Sequence, residues 1–153
     1  MLSSCISPFT STVIFFDKSP RAKAVLELAA DKAGWGEKLP PRIGRGVSVQ
    51  NAFATYLAQV AEVEVAKDGT VFVRRVVCAV DCGIIVNPDT VRAQIESAVM
   101  FGITAALYGK ITLKKGRVEQ TNFDNYQILR MDEAPDVEVH LVQNSEPPGG
   151  IGE

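Results

Sequence analysis

The sequence predicts an α+β fold: an antiparallel or mixed sheet of about five strands, a long helix over about 88–108 packed on it, and a shorter helix over about 20–33. Three observations predict it. Apolar residues recur at helical spacing after two Ser/Asn-Pro starts, at Ser19-Pro20 and Asn87-Pro88. Between them, TYLAQVAEVEV and TVFVRRVVCAV flank the turn signal Lys67-Asp68-Gly69. Near the end, Val137, Val139 and Leu141 alternate with Glu138 and His140, the period of a strand with one apolar face.

The elements follow in order. Ser19 is suited to cap a helix and Pro20 to occupy its first position. Ala22, Val25, Leu26, Ala29 and Ala33 share one face, and Gly34 is a natural stop. Residues 34–46, GWGEKLPPRIGRG, read as a loop, with Trp35 as a packing anchor. From Val47 the texture becomes that of a strand, and a hairpin pairs about 55–66 with 70–80. Its far end is apolar on both faces and needs a cover. The second helix supplies one: Asn87 caps it, Asp89 complements its dipole, and Val91, Ile95 and Ala98 repeat along it. Its middle is rich in small residues (Ser97, Ala98, Gly102, Ala105, Ala106). A glycine inside a helix costs about 1 kcal/mol relative to alanine, and close approach by another backbone or a ligand offsets that cost. A short hairpin then turns near Lys115-Gly116, and the last strand follows a polar loop.

Composition excludes several classes. A net charge of −2 with scattered arginines gives no footprint for nucleic acid. The longest apolar run, Ala98 to Leu107, is too short for a membrane span. The first 16 residues are apolar and Ser/Thr-rich, but no Lys or Arg precedes them, so they do not fit a signal peptide. Cys5, Cys78 and Cys82 form no disulfide framework, and with His140 as the single histidine no metal-ligand set is visible. Cys78 and Cys82 read as small buried apolar groups. His140 falls on the polar face of its strand and reads as exposed and non-catalytic. Glu62 and Glu64 read as a solvated strand face.

Two residues carry a possible chemistry. Gln94 lies on the small-residue helix, where its amide can donate and accept hydrogen bonds; spacing alone favours an exposed helical glutamine. Glu153 ends EPPGGIGE, whose glycines permit close backbone approach and whose prolines stiffen the path. A carboxylate held this way is suited to general-base work. Composition alone favours a mobile terminus.

VDCGIIVNPDTVRAQIES, Val80 to Ser97, resembles the Asp-Cys-Gly, Asn-Pro and Gln-x-Glu-Gly series of the large subunit of the molybdenum hydroxylases, the xanthine dehydrogenase and aldehyde oxidase family. PPGGIGE is similar to that family's terminal Gly-Glu motif. AVLELAADKAGWG, ATYLAQVAEVEV, AALYGKITL and LRMDEAPDVEVH resemble isoquinoline 1-oxidoreductase-type β subunits in the same order. The resemblance covers about residues 20 to 153 and leaves 1–18 unassigned.

What the resemblance implies is specific. Residues 19–153 are an incomplete part of a molybdopterin-binding domain. Glu153 is the general base in hydroxylation, with water, of an electron-poor carbon of an N-heteroaromatic or an aldehyde. Gln94 hydrogen-bonds the pterin, and Gly152 is the glycine of the Gly-Glu motif. The cofactor is molybdopterin cytosine dinucleotide with molybdenum, held through its dithiolene and not by protein side chains. Electrons pass to a small subunit carrying 2Fe–2S clusters, and the remaining part of the large subunit completes the pocket. Ser97 stands where the family has glycine. The isolated chain is therefore expected to be inactive, to expose an apolar surface that includes the small-residue helix face, and to hold Glu153 disordered or displaced. The alternative is a non-catalytic α+β interaction module without such a surface.

Overall fold

The computed structural model describes residues 18–152. The unassigned start, with Cys5, and the candidate base Glu153 lie outside the described residues.

The order of elements is α1 (Pro20–Lys32), β1 (Ile43–Ala52), β2 (Thr55–Val65), β3 (Val71–Asp81), α2 (Pro88–Tyr108), β4 (Leu113–Lys114), β5 (Arg117–Val118), a 3₁₀ turn (Met131–Glu133) and β6 (Asp136–Leu141). One sheet has the order β1-β2-β3-β6. The first three strands pair antiparallel, and β6 joins β3 in parallel, with Arg75 opposite Asp136 and Val80 opposite Leu141. The sheet is thus mixed and four-stranded, while β4 and β5 form a separate two-stranded ribbon.

The start signals act as expected, with one difference. Asn87 Oδ1 accepts from the backbone N–H groups of Asp89 (3.0 Å) and Thr90 (3.2 Å), satisfying two donors that the first helical turn leaves open. Ser19 occupies the cap position of α1 without a side-chain cap bond; its carbonyl accepts from Lys23 at 3.0 Å. At the central hairpin Asp68 Oδ1 accepts from Thr70 at 3.0 Å, and this bond holds the Asp68 carboxyl below its ordinary pKa. β1 begins at Ile43, earlier than the texture change at Val47, because Ile43 pairs opposite Glu64. Pairing to a neighbour, not local composition, sets that boundary.

The two helices lie on opposite faces of the sheet. Val77 and Ala79 of β3 and Ala58 and Val60 of β2 pack with Val25, Leu26, Ala29 and Ala33 of the first helical segment. Val76, Cys78 and Val80 point the other way and pack with Val91, Ile95 and Val99 of α2. The period of two in β3 divides one continuous apolar run between two cores. Trp35 packs against the first cluster, as an anchor should.

Two surface readings are corrected. Glu62 is not simply solvated: Arg45 Nε lies 3.0 Å from its carboxylate, and Arg45 also donates to the Gly34 carbonyl at 2.6 Å, tying the loop after α1 to the sheet. His140 is half-buried, not exposed. Its Nε2 lies 3.7 Å from Glu138 Oε2 and has no hydrogen-bond partner among the described residues; the other carboxylate oxygen of Glu138 accepts from Arg75 Nε at 2.6 Å.

Candidate cofactor site

The site is built where the tip of the β1–β2 hairpin, the middle of α2 and the last described residues meet. Ala52 pairs with Thr55, so Phe53 and Ala54 alone make the turn. Their φ angles are 51° and 63°. Two consecutive positive values match the twist of a two-residue hairpin, but the residues usually found there are Asn-Gly. A side-chain-bearing residue in this region costs about 1–2 kcal/mol.

The returning chain is laid down by backbone hydrogen bonds. Val142 donates to the Val80 carbonyl (2.8 Å) and Ile84 to the Glu146 carbonyl (3.0 Å). Gly149 donates to the Cys82 carbonyl (2.8 Å) and Gly150 to the Phe53 carbonyl (2.8 Å). The Thr55 hydroxyl donates to the Gly150 carbonyl at 2.7 Å. Ile151 packs against the α2-side core. Up to Gly152 the EPPGGIG stretch is therefore a seated strap, and the composition-based reading of a loose tail does not hold for it. Glycine is required where it seats. A Cβ at Gly149 would stand 2.5 Å from Thr55 Oγ1 and 2.9 Å from the Ala54 carbonyl carbon. A Cβ at Gly152, whose φ is 113°, would overlap the Gln94 side-chain nitrogen.

Together these parts enclose an open cleft of about 590 Å³. Gln94, Ser97, Ala98 and Phe101 of α2 line it along with Phe53, Thr55, Gly150 and Gly152. Gln94 and Gly152, singled out separately from the sequence, thus stand side by side. Gln94 is half-buried, and its amide makes no hydrogen bond among the described residues. Ser97, Ala98, Phe101 and Gly102 are exposed, and a Cβ at Gly102 would meet nothing within 4 Å.

Behind the cleft, Asp81 ties the loops in place. It is 2% exposed. Arg21 of α1 meets both of its carboxylate oxygens, at 2.9 and 2.7 Å, and Asn144 Nδ2 donates to it at 2.7 Å. The Gly83 N–H adds a fourth bond at 3.2 Å. The hydrogen bond from Arg21 is the largest reason that the Asp81 carboxyl is held below the ordinary range, helped by Asn144 and Gly83 against the cost of burial. Arg21 also lies 4.6 Å from the centre of the Tyr56 ring. One residue therefore joins α1, the exit of β3 and the loop that becomes the strap. None of Arg21, Asp81, Asn144 or Thr55 was selected from sequence as a working residue. Asp81 had a signal, since it lies inside the Asp-Cys-Gly segment. The Phe53-Ala54 turn had none, because neither residue announces a left-handed backbone.

Among the described residues no group of three His, Cys, Asp or Glu side chains converges. Burial pushes the Cys78 thiol up to about 12 and raises that of Cys82, so neither offers a thiolate. What the cleft offers is an amide, backbone groups and glycine surfaces without side chains. That donor set fits a bulky cofactor that brings its own metal ligands and is gripped by hydrogen bonds and close contact.

A cleft of this kind defines a class of cofactor-binding chains, and comparison with known proteins supplies the family. The molybdopterin cofactor-binding domain family matches residues 22–135. The chain belongs to that family. It is 32% identical over 151 residues to the isoquinoline 1-oxidoreductase subunit beta of Brevundimonas diminuta, covering 95% of this chain and 19% of that protein. It is 28% identical over 139 residues to the membrane-bound aldehyde dehydrogenase [pyrroloquinoline-quinone] of Gluconacetobacter polyoxogenes, covering 87% of this chain and 18% of that protein. Among solved structures, quinoline 2-oxidoreductase from Pseudomonas putida 86 superposes with a TM-score of 0.57 at 26% identity, over 63% of this chain and 13% of that one. The chain spans about a fifth of the length of the curated relatives it matches. Among the described residues, no helix is long and apolar enough to cross a membrane.

Proposed function

We propose that residues 19–153 form one part of the molybdopterin-binding domain in the large subunit of a molybdenum hydroxylase acting on an N-heteroaromatic or aldehyde substrate. The observation that carries this reading is the meeting of Gln94 and Gly152 at one cleft in a chain of the molybdopterin-binding family. When bound, the molybdenum centre supplies the two-electron oxidation by which oxygen from water is added to a substrate carbon. The chain's own residues do the rest. The Gln94 amide donates to and accepts from the pterin. Gly152 lets that group approach the backbone, since a side chain there would collide with Gln94. Glu153, next along the strap, takes up a proton at its carboxylate as general base. The small exposed residues of α2 form a floor, and Phe101 and Phe53 offer apolar walls. The isoquinoline and quinoline oxidoreductases among the relatives favour a flat N-heterocycle over an aldehyde. The cofactor is taken as the cytosine dinucleotide form, the electron acceptor as a small subunit with 2Fe–2S clusters, and the missing walls as the remainder of the large subunit.

The test is a hybrid. Residues 20–153 replace the matching segment of the isoquinoline 1-oxidoreductase β subunit, which is expressed with its partner. The hybrid is expected to purify with molybdenum and pterin, to release cytidine monophosphate on acid hydrolysis, and to hydroxylate isoquinoline. Gln94→Ala should lower bound pterin. Glu153→Gln should keep the pterin and lose about 10²-fold or more in kcat. The isolated chain, given an artificial electron acceptor, should show no hydroxylation. A soluble hybrid without pterin, or full activity in Glu153→Gln, overturns the reading.

A further inference from the structure

The hairpin tip does more to the strap than line the same cleft. Gly150 is fixed in both directions: its N–H donates to the Phe53 carbonyl at 2.8 Å, and its carbonyl accepts from the Thr55 hydroxyl at 2.7 Å. Gly149 is pressed against the turn so closely that no side chain fits between it and Ala54. Thr55 is one of the two polar or charged residues that are buried among those described, at 6% exposed, so little water competes for its hydroxyl. The turn that presents these groups keeps Phe53 and Ala54 at positive φ, where Asn-Gly would cost less. Strain of this kind persists where the surroundings over-determine it, and such places cluster at functional sites.

We propose that Phe53, Ala54 and Thr55 form a latch that sets the conformation of Gly150, Ile151 and Gly152, and that Thr55 is thereby a positioning residue for the acid that follows. The last clause rests on the reading of Glu153 given above; the latch itself does not. The latch is made by backbone and hydroxyl, not by the Phe53 ring, which is 67% exposed. Thr55→Val keeps the shape of the side chain but leaves the Gly150 carbonyl without a donor. Thr55→Ser keeps the donor. Replacing Phe53-Ala54 by Asn-Gly relieves the turn and keeps the carbonyl that holds Gly150.

Amide hydrogen exchange on the full chain decides the latch. Thr55→Val should speed exchange at Gly150 roughly tenfold while the β3 amides of Val77 and Val80 keep their rates. Thr55→Ser should restore the slow rate at Gly150, and Asn-Gly at 53–54 should not raise it. Unchanged exchange at Gly150 in Thr55→Val, an equal rise throughout β3, or faster exchange in the Asn-Gly variant overturns the latch. In the hybrid subunit, Thr55→Val should lower kcat roughly tenfold with KM and bound pterin unchanged, and Thr55→Ser should recover it. A loss of pterin in Thr55→Val with normal turnover per pterin overturns the positioning role. A hybrid that binds no pterin even without substitution defeats the functional reading, while hydrogen exchange still decides the latch.

Discussion

The two faces of the sheet are finished to different degrees. On the α1 face, Val25, Leu26 and Ala29 are fully buried against Ala58, Val77 and Ala79. Trp35, Val47, Val49 and Tyr56 close the margin. On the other face, α2 buries Val91, Ile95 and Val99 but leaves Phe101 76% exposed. A self-contained domain buries its large apolar groups on both sides. The contrast teaches that the α1 face carries the closed core of the fold, while the α2 face is left open. The cleft with Gln94 and Gly152 belongs to the second face.

Asp81 links the two faces, so the largest effect is expected there. Asp81→Ala leaves Arg21 and Asn144 without their partner and should cost about 4 kcal/mol of unfolding free energy in urea titrations. It should also loosen the strap, because Asn144 leads into it. A cost no larger than that of an ordinary surface change would break the idea of a link. Next, Leu26→Ala on the finished face should cost about 3 kcal/mol, measured in the same way. The pH dependence is smaller. Asp81 is held below its ordinary pKa, so its contribution is full above the unfolded carboxylate value of about 4 and is lost as pH falls through the folded value. Glu138, lowered chiefly by its bond from Arg75, acts in the same direction. Melting temperature should fall as pH drops below about 4, and Asp81→Asn should flatten part of that fall. A variant as acid-sensitive as the parent chain would assign the loss elsewhere. The smallest effect on stability is expected on the open face. Phe101→Ser should change unfolding free energy by no more than about 0.5 kcal/mol, yet should reduce self-association in sedimentation experiments. A loss as large as that of Leu26→Ala would mean that Phe101 supports the fold, and the comparison would fail.

Much of this was legible in advance for local reasons. Pro20 and Pro88 each start a helix within one residue of a capping type, and Lys67-Asp68-Gly69 can hardly be anything but a turn. Gln94 and Gly152 were chosen through motif resemblance, and the fold brings them together. Glu153 lies outside the described residues. The parallel pairing of β6 with β3 was not legible, because alternation in a strand says which residues share a face but not which neighbour they meet. The half-burial of His140 follows from that pairing. The position of α1 was missed for a similar reason: its apolar stripe required a partner, but nothing local chose the face of the sheet opposite α2.

By itself, then, the sequence determined the helices, the central hairpin, the small-residue surface and the motif residues that place the chain in its family. These depend on spacing, capping and turn chemistry between near neighbours. Only the tertiary structure decided that the Phe53-Ala54 turn is left-handed, that Asp81 binds three segments, and that PPGGIG is a seated strap. The last two need hydrogen bonds between residues far apart in the chain, which leave no local periodicity. The turn is set by the pairing of Ala52 with Thr55, which holds Phe53 and Ala54 where their own preferences oppose the result.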